Sequence, residues 1–414
     1  MKKKSKSIHN LYSVLIILIM VFSLSSCKKE KIEEQKKFNI YMDTTDEYSS
    51  NVIKFLIDDF KKNNADVDIK FNDVLGGKSN ILDTINNGSE IDLIFTNRNT
   101  IIELSKKGVL SDLEDVYEQL TFKDRFYDIM SSYGRVGDIH YGLGVIPYSI
   151  ELLYNKEYLQ KLNISNPNNL DQWLSVLKKV NGNGIKTPVV LTEDVDANGY
   201  LFSLIASKAI NINELEENYD GGEESYKKLK AMQEIFNEFN SLTKDNGINL
   251  NSFEISNAQS IDGFNNGDSP LLVGISYYNS KLTGSNIGII EDYDNNSNYG
   301  SNIPIIINSI LGIPVNAKNS DVATDFIKYI YSDEVQERIV QSGVISGNKM
   351  ANRKITGIGK TMVQHIYKAN DNSILILYNM PDKIKKSVIL ATKRILSGEF
   401  STSEWNEILK ECYE

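Results

Sequence analysis

Histidine and cysteine are scarce in this chain, three and two residues among 414. The three histidines, His9, His140 and His365, are scattered, which argues against a histidine-built zinc centre. Asp194 to Gly199 (DVDANG) reads like the first half of an EF-hand loop, but Ile205 stands where the loop needs its bidentate glutamate. No serine elbow, phosphate loop or His-Glu-x-x-His is present. A glycosidase carboxylate pair is defined by a separation of about 5–9 Å, which sequence spacing cannot supply. Tyrosine is the abundant functional side chain, 22 against two tryptophans, with Tyr277 and Tyr278 adjacent. A phenol ring stacks on apolar faces while its hydroxyl donates or accepts, so the inventory suits binding better than catalysis.

The positioning elements are legible as an alternation. FNIYM (38–42) is β-prone, and NVIKFLIDDFKKNN carries Val52, Ile53, Phe55, Leu56, Ile57 and Phe60 on one wide apolar helical face, with Ser49 or Ser50 as the expected N-cap. DVDIKFNDV alternates as a strand; SNILDTINNGS is a helix closed by Gly88; EIDLIFTN is a buried strand; NTIIELSKKGVL is a helix stopped at Gly108. Strand and helix in turn predict an α/β fold with a largely parallel sheet. Ligands of such sheets bind where strands end and loops enter helices. That singles out Thr44, Thr45 and Asp46 after the first strand, with helix capping as the alternative role, and Asn97, Arg98 and Asn99 after the third.

From Ile139 the texture changes. IHYGLGVIPYSIELLYN is a long β-rich stretch interrupted at Gly142, Gly144 and Pro147, able to run out of one lobe into another. Helices follow in 156–163 and 168–184, a strand at TPVVLT, a helical region over about 199–242, and a strand at LLVGIS (271–276). A strand, a loop and two helices occupy 310–343, and the C-terminal segment reads as two helices broken at Ser397-Gly398. A chain of 414 residues exceeds one ordinary core, so two lobes are expected.

The N-terminus is basic, then apolar, then small: MKKKSK, LYSVLIILIMVFSL and Ser25-Ser26 before Cys27, the layout of a secretory signal. Leu24-Ser25-Ser26-Cys27 resembles the lipobox of bacterial lipoproteins. The resemblance implies cleavage after Ser26 and a diacylglyceryl anchor on Cys27, with 27–37 as a charged tether and palmitate among the acyl groups. One acyl chain holds a protein to a membrane only marginally, whereas two hold it stably. Without the four leader lysines the chain carries 41 basic against 55 acidic residues, a net −14, which disfavours nucleic acid as a partner. With Cys27 lipidated, Cys412 has no disulfide partner.

Five blocks in order resemble the extracellular solute-binding proteins of ABC importers, the family that includes maltose-binding protein. They are EIDLIFTNRNTIIELSKKGVLSDLEDV, YGLGVIPYSIELLYNKEYLQKLNISNPNNLDQWLSVLKKV, FNNGDSPLLVGISYYNSKL, AKNSDVATDFIKYIYSDEVQERIVQSG and SGEFSTSEWNEIL. The resemblance implies two α/β lobes joined by crossing strands, here about 38–147 plus 308–365 and about 148–307 plus 366–414, with a ligand cleft between them and closure by hinge motion. It implies a monomeric, cofactor-free receptor on the extracellular side of the membrane that delivers a small solute, most simply a sugar or oligosaccharide, to permease subunits. Tyr148 falls where the family contributes a cleft residue, Tyr277 and Tyr278 at the place of a cleft aromatic, Asn198 and Tyr200 in a second-lobe loop, and Ser309 at a family glycine. If the strand persists through Tyr277 and Tyr278, alternation lets only one of them face the cleft. Trp173 and Trp405 read as packing residues, and the family's cleft aromatic near the penultimate helix falls at Lys385, with Tyr378 the nearest aromatic upstream. The alternatives are a ferric-binding receptor using the tyrosine pair as phenolates, or a lipid-anchored glycan hydrolase.

Overall fold

The apolar runs become strands and the amphipathic runs become helices, at nearly the expected places. A computed structural model describes residues 35–414 apart from 45, 75–80, 220, 245–246, 292 and 294–302. Cys27, its tether up to residue 34, and Thr45 lie outside the described residues.

In the N-terminal part lie β1 (Lys36–Met42), β2 (Val67–Asp73) and β3 (Leu93–Thr96), followed by the small hairpin β4 (Arg135–Val136) and β5 (Ile139–His140), then β6 (Leu143–Gly144). The later strands are β7 (Tyr148–Asn155), β8 (Thr187–Val189), β9 (Phe253–Ile255), β10 (Leu271–Ile275), β11 (Ile287–Ile289), β12 (Ile305–Ile306) and β13 (Ile310–Gly312). Two main sheets result. The first has the order β2-β1-β3-β13-β6, with β1 and β3 parallel (Ile40 opposite Leu93) and β13 antiparallel to β3. The second has the order β11-β7-β10-β8-β9, with β12 also on β7.

The stretch 139–155 does run from one sheet to the other. Its β6 ends at the edge of the first sheet and β7 begins within the second, with all eight of its residues buried. The chain returns beside it: Ile306 pairs with Tyr148, and four residues later Ile310 pairs with Gly144. The two crossings are tied by Val145 N–H donating to Ser309 O at 2.9 Å. Ile374 bridges to Ile305, bringing a third connecting segment alongside.

Around the first sheet, Phe326 lies edge-on to Phe38, Phe60 and Phe95 at 5.6, 4.8 and 6.4 Å. The buried Asp92 staples that side, accepting from the backbone N–H of Asn39, Lys318 and Asn319 at 2.9, 3.1 and 2.9 Å. The helix Ile358–Lys368, unread in the sequence, packs on β7. Its His365 meets Glu151 at 2.8 Å, both side chains buried.

Three local expectations are corrected. The helix Glu47–Asn63 is capped by Asp46, whose carboxylate accepts from Tyr48 and Ser49 N–H; Ser49 and Ser50 lie inside it, buried. Phe55, counted on the apolar face, is 44% exposed. The strand carrying LLVGIS stops at Ile275, and Tyr277 and Tyr278 sit in a 3-10 turn, Ser276–Lys281, so strand alternation does not separate them. Trp173 and Trp405 are buried as expected, and the Trp405 indole donates to Tyr226 O at 3.0 Å.

Candidate ligand-binding site

Loops at the carboxyl ends of β1, β8 and β10 converge with the crossing 307–309 and the turn Ile376–Asn379. The β1 loop feeds straight into a helix because Asp46 satisfies that helix's first amides at 3.0 and 3.2 Å. Its next aromatic, Tyr48, meets the β10 turn: its ring lies 4.5 Å from that of Tyr277 and 5.7 Å from that of Tyr278, and its hydroxyl is 2.5 Å from the Tyr278 hydroxyl. Tyr148, the first residue of β7, is fully buried and sets its ring edge-on to Tyr277 at 5.9 Å. Four phenols thus share one seam, three from the second sheet and one from the first.

Beside them lies a polar cluster. Thr44 Oγ1 donates to Asn308 O at 3.2 Å, and Asn308 Nδ2 donates to Asp194 Oδ1 at 2.8 Å and to Thr192 Oγ1 at 3.3 Å. The Tyr378 hydroxyl binds Asp194 Oδ2 and Asn308 Oδ1. Asp194, read as the start of an incomplete calcium loop, is therefore held by an amide and a phenol. Among the described residues no group of three or more His, Cys, Asp or Glu is placed to hold a metal.

Burial shapes the electrostatics. Asp46 is pushed up to about 6, first by desolvation and then by the charge of Asp194, against the pull of the Ser49 hydroxyl and two amides. Desolvation likewise lifts Asp43 to about 6. Tyr277 and Tyr278 are raised above the ordinary phenol range, mainly by burial. Asp43 faces Thr96 and the Tyr148 hydroxyl faces Ser49, while Ser50 Oγ and Ser309 Oγ, also buried, have no hydrogen-bond partner among the described residues. These residues belong to the β1 loop and its helix, the end of β3, and the two crossings. Unpartnered buried atoms cost free energy unless something binds them.

Of the residues expected from sequence, Thr44, Asp46, Tyr148, Tyr277, Tyr278 and Ser309 belong to this region. The others are occupied locally. Asn97 caps the helix Arg98–Lys106, accepting from Thr100 N–H at 3.1 Å, and Asn99 donates to Met380 O at 2.8 Å. Asn198 folds back on Asp196, the cap of its own helix, at 2.9 Å. Tyr200 is buried in that helix, its phenol raised by desolvation. Arg98 is buried and fully engaged: Nε to Asn379, Nη1 to the carbonyls of Ser132, Tyr133 and Arg135, Nη2 to Glu216 at 2.7 Å. Tyr48, Asn308 and Glu216 were not foreseen. Tyr48 stands two residues past Asp46 and is the only aromatic of 43–50; Asn308 and Glu216 carry no local signal.

Comparison with known proteins fits this geometry. Residues 44–337 match the family described as bacterial extracellular solute-binding protein. Among solved structures, a chitin oligosaccharide binding protein aligns over 92% of this chain and 98% of its own at 16% identity and a TM-score of 0.67. The sugar-binding protein MalE of the phytopathogen Xanthomonas citri aligns over 91% and 96% at 14% identity and 0.68. A family 1 extracellular solute-binding protein of Bifidobacterium longum subsp. infantis aligns over 92% and 99% at 17% identity and 0.67. No curated protein matches the chain. These likenesses establish the two-lobed α/β fold, and the family match, spanning well over half the sequence, makes this chain a member of the bacterial extracellular solute-binding proteins, which bind rather than catalyse.

Proposed function

We propose that this protein is a lipid-anchored, monomeric receptor on the outer side of the cell membrane that captures a sugar or oligosaccharide by lobe closure and delivers it to the permease of an ABC importer. The observation that carries this reading is the seam itself: Tyr48, Tyr148, Tyr277 and Tyr278 offer rings beside the hydrogen-bonding groups of Asp46, Asp194, Asn308 and Tyr378. A sugar has apolar C–H faces and a rim of hydroxyls, and both kinds of group are needed to hold it. Solved structures of the same fold are described as binding chitin oligosaccharide, acarbose and β-D-galactopyranose, which supports a carbohydrate. Thr44, Ser309 and the buried Tyr148 hydroxyl are assigned to the solute; Asn97, Arg98, Asn198 and Tyr200 are assigned to shaping the cleft around it.

The architecture supports hinge motion. The crossings 145–147 and 307–309 join two bodies with separate sheets, so bending there opens the seam without unfolding either. The lobes are drawn as 38–147 plus 308–365 and 148–307 plus 366–414; the packing of the helix Ile358–Lys368 on β7 favours counting it with the second. Anchorage rests on the seam LSSC at Cys27. No helix among the described residues is long and apolar enough to cross a membrane.

The test is a thermal-shift screen of the chain from Lys28 onward against mono- and oligosaccharides. A carbohydrate should raise the midpoint in proportion to the logarithm of its concentration. A panel in which only non-carbohydrate solutes stabilise the protein would overturn the ligand class.

A further inference from the structure

Among the described residues, Glu216 is the one carboxylate that crosses the seam to a buried guanidinium. It lies on the short helix Ile212–Glu217, in the connection between β8 and β9 of the second sheet. Its Oε2 accepts from Arg98 Nη2 at 2.7 Å and its Oε1 from the Gly137 backbone N–H at 2.7 Å. Arg98 heads the helix that follows β3, and Gly137 turns the β4–β5 hairpin at a φ of +60°, so both belong to the first-sheet side. The rest of the guanidinium is pinned by three carbonyls and Asn379. One outward N–H and one backbone amide therefore aim at a single carboxylate, and a segment of the other lobe supplies it.

The surroundings repeat the arrangement. These groups line a cavity of about 330 Å³ whose other arginine, Arg135, is held by Asp371. Asp138 and Glu217 line the same cavity. Two cations face four carboxylates, so the space disfavours a further negative charge.

We propose that Arg98 and Gly137 form an anion site that Glu216 fills from across the seam, so that the receptor turns away acidic solutes and is latched shut at this end by its own carboxylate. The latch rests on the closure reading above; the anion site does not. A hydrogen-bonded carboxylate at a buried guanidinium holds more firmly than a surface ion pair, because solvent screens it little.

Formate is the probe. Glu216→Ala vacates the site while leaving Arg98 and Gly137 in place, and sodium formate should then raise its unfolding midpoint by about 2 °C or more over equal sodium chloride, with no such excess in the wild type. Glu216→Gln, which keeps the shape and one acceptor, should show no formate response and guards against a misfolded alanine variant. Small-angle scattering without ligand supplies the second arm: the radius of gyration should grow in Glu216→Ala, and formate should restore it. Absence of any formate excess in a folded Glu216→Ala overturns the anion site. If Tyr48→Phe/Tyr278→Phe expands the protein and Glu216→Ala does not, the latch is wrong while closure stands. If Tyr48→Phe/Tyr278→Phe/Glu216→Ala has the wild-type radius, closure itself is wrong, and the formate shift still judges the anion site.

Discussion

The hydroxyls of Tyr48 and Tyr278 lie 2.5 Å apart, although the two residues are 230 positions apart in the chain. One belongs to the helix entered from β1 and the other to the turn that follows β10, so this bond joins the two sheets' sides directly. The Glu47 N–H reaching Glu193 Oε2 at 3.3 Å is a neighbouring contact of the same kind. At one end of the seam phenols meet, and at the other Glu216 meets Arg98.

Removing both phenol hydroxyls with Tyr48→Phe/Tyr278→Phe should leave the fold intact, since each ring keeps its aromatic neighbours. The lost bond is worth about 1 kcal/mol. Its effect should appear as a larger ligand-free radius of gyration; an unchanged radius would mean the bond holds nothing shut.

Because Tyr277 and Tyr278 share a 3-10 turn rather than a strand, both rings face Tyr48. Tyr277→Ala and Tyr278→Ala should each weaken sugar binding by on the order of 2 kcal/mol, some thirtyfold. Tyr148→Phe removes a buried hydroxyl that faces Ser49 and should weaken binding by about 1 kcal/mol. Calorimetry on the three variants decides; normal affinity in all of them removes the site from this seam.

Asp46 titrates at about 6 in the fold against an ordinary value of 3.8. A raised acid binds its proton more tightly when folded. Its contribution to stability is therefore whole below about pH 3.8 and is lost as pH rises through about 6, an effect of ~3 kcal/mol. Asp46→Asn keeps a capping oxygen and removes the titration. Urea midpoints measured from pH 4 to 8 should slope less in Asp46→Asn than in the wild type, and parallel curves would refute the assignment.

Glu151 and His365 are paired at 2.8 Å with both side chains buried, and the Ser149 hydroxyl also donates to Glu151. Deleting one partner leaves a buried hydrogen-bonding group unsatisfied, a cost of about 1–3 kcal/mol. Glu151→Ala should lose that much in urea unfolding and Glu151→Gln less. Equal small losses would mean that water relaxes the site.

Cys27→Ala should move the protein from the membrane fraction to the medium or to an uncleaved precursor, since lipidation needs the thiol. Metabolic labelling with palmitate reads it directly; a variant that still labels would place the anchor elsewhere.

By itself the sequence determined the strand–helix alternation up to Gly108, the two-body plan and the crossing, though not the helix Ile358–Lys368. Each rests on local patterning: period-two strands such as DVDIKFNDV, glycine stops at Gly88 and Gly108, and apolar runs that must be buried on both faces. It also placed both tryptophans in the core and flagged the loop that holds Asp46. It did not decide who meets whom. That Asp46 rather than a serine caps its helix depends on where the β1 strand releases the chain, and that Tyr277 and Tyr278 turn together depends on β10 ending at Ile275. Arg98 looked like a free ligand for a solute because a guanidinium just past a strand is one until something else fills it. Its partner, Glu216, is 118 residues away on a short helix with no distinguishing pattern. Pairings of that length are set by how two sheets pack across a seam, and local propensity carries no term for them.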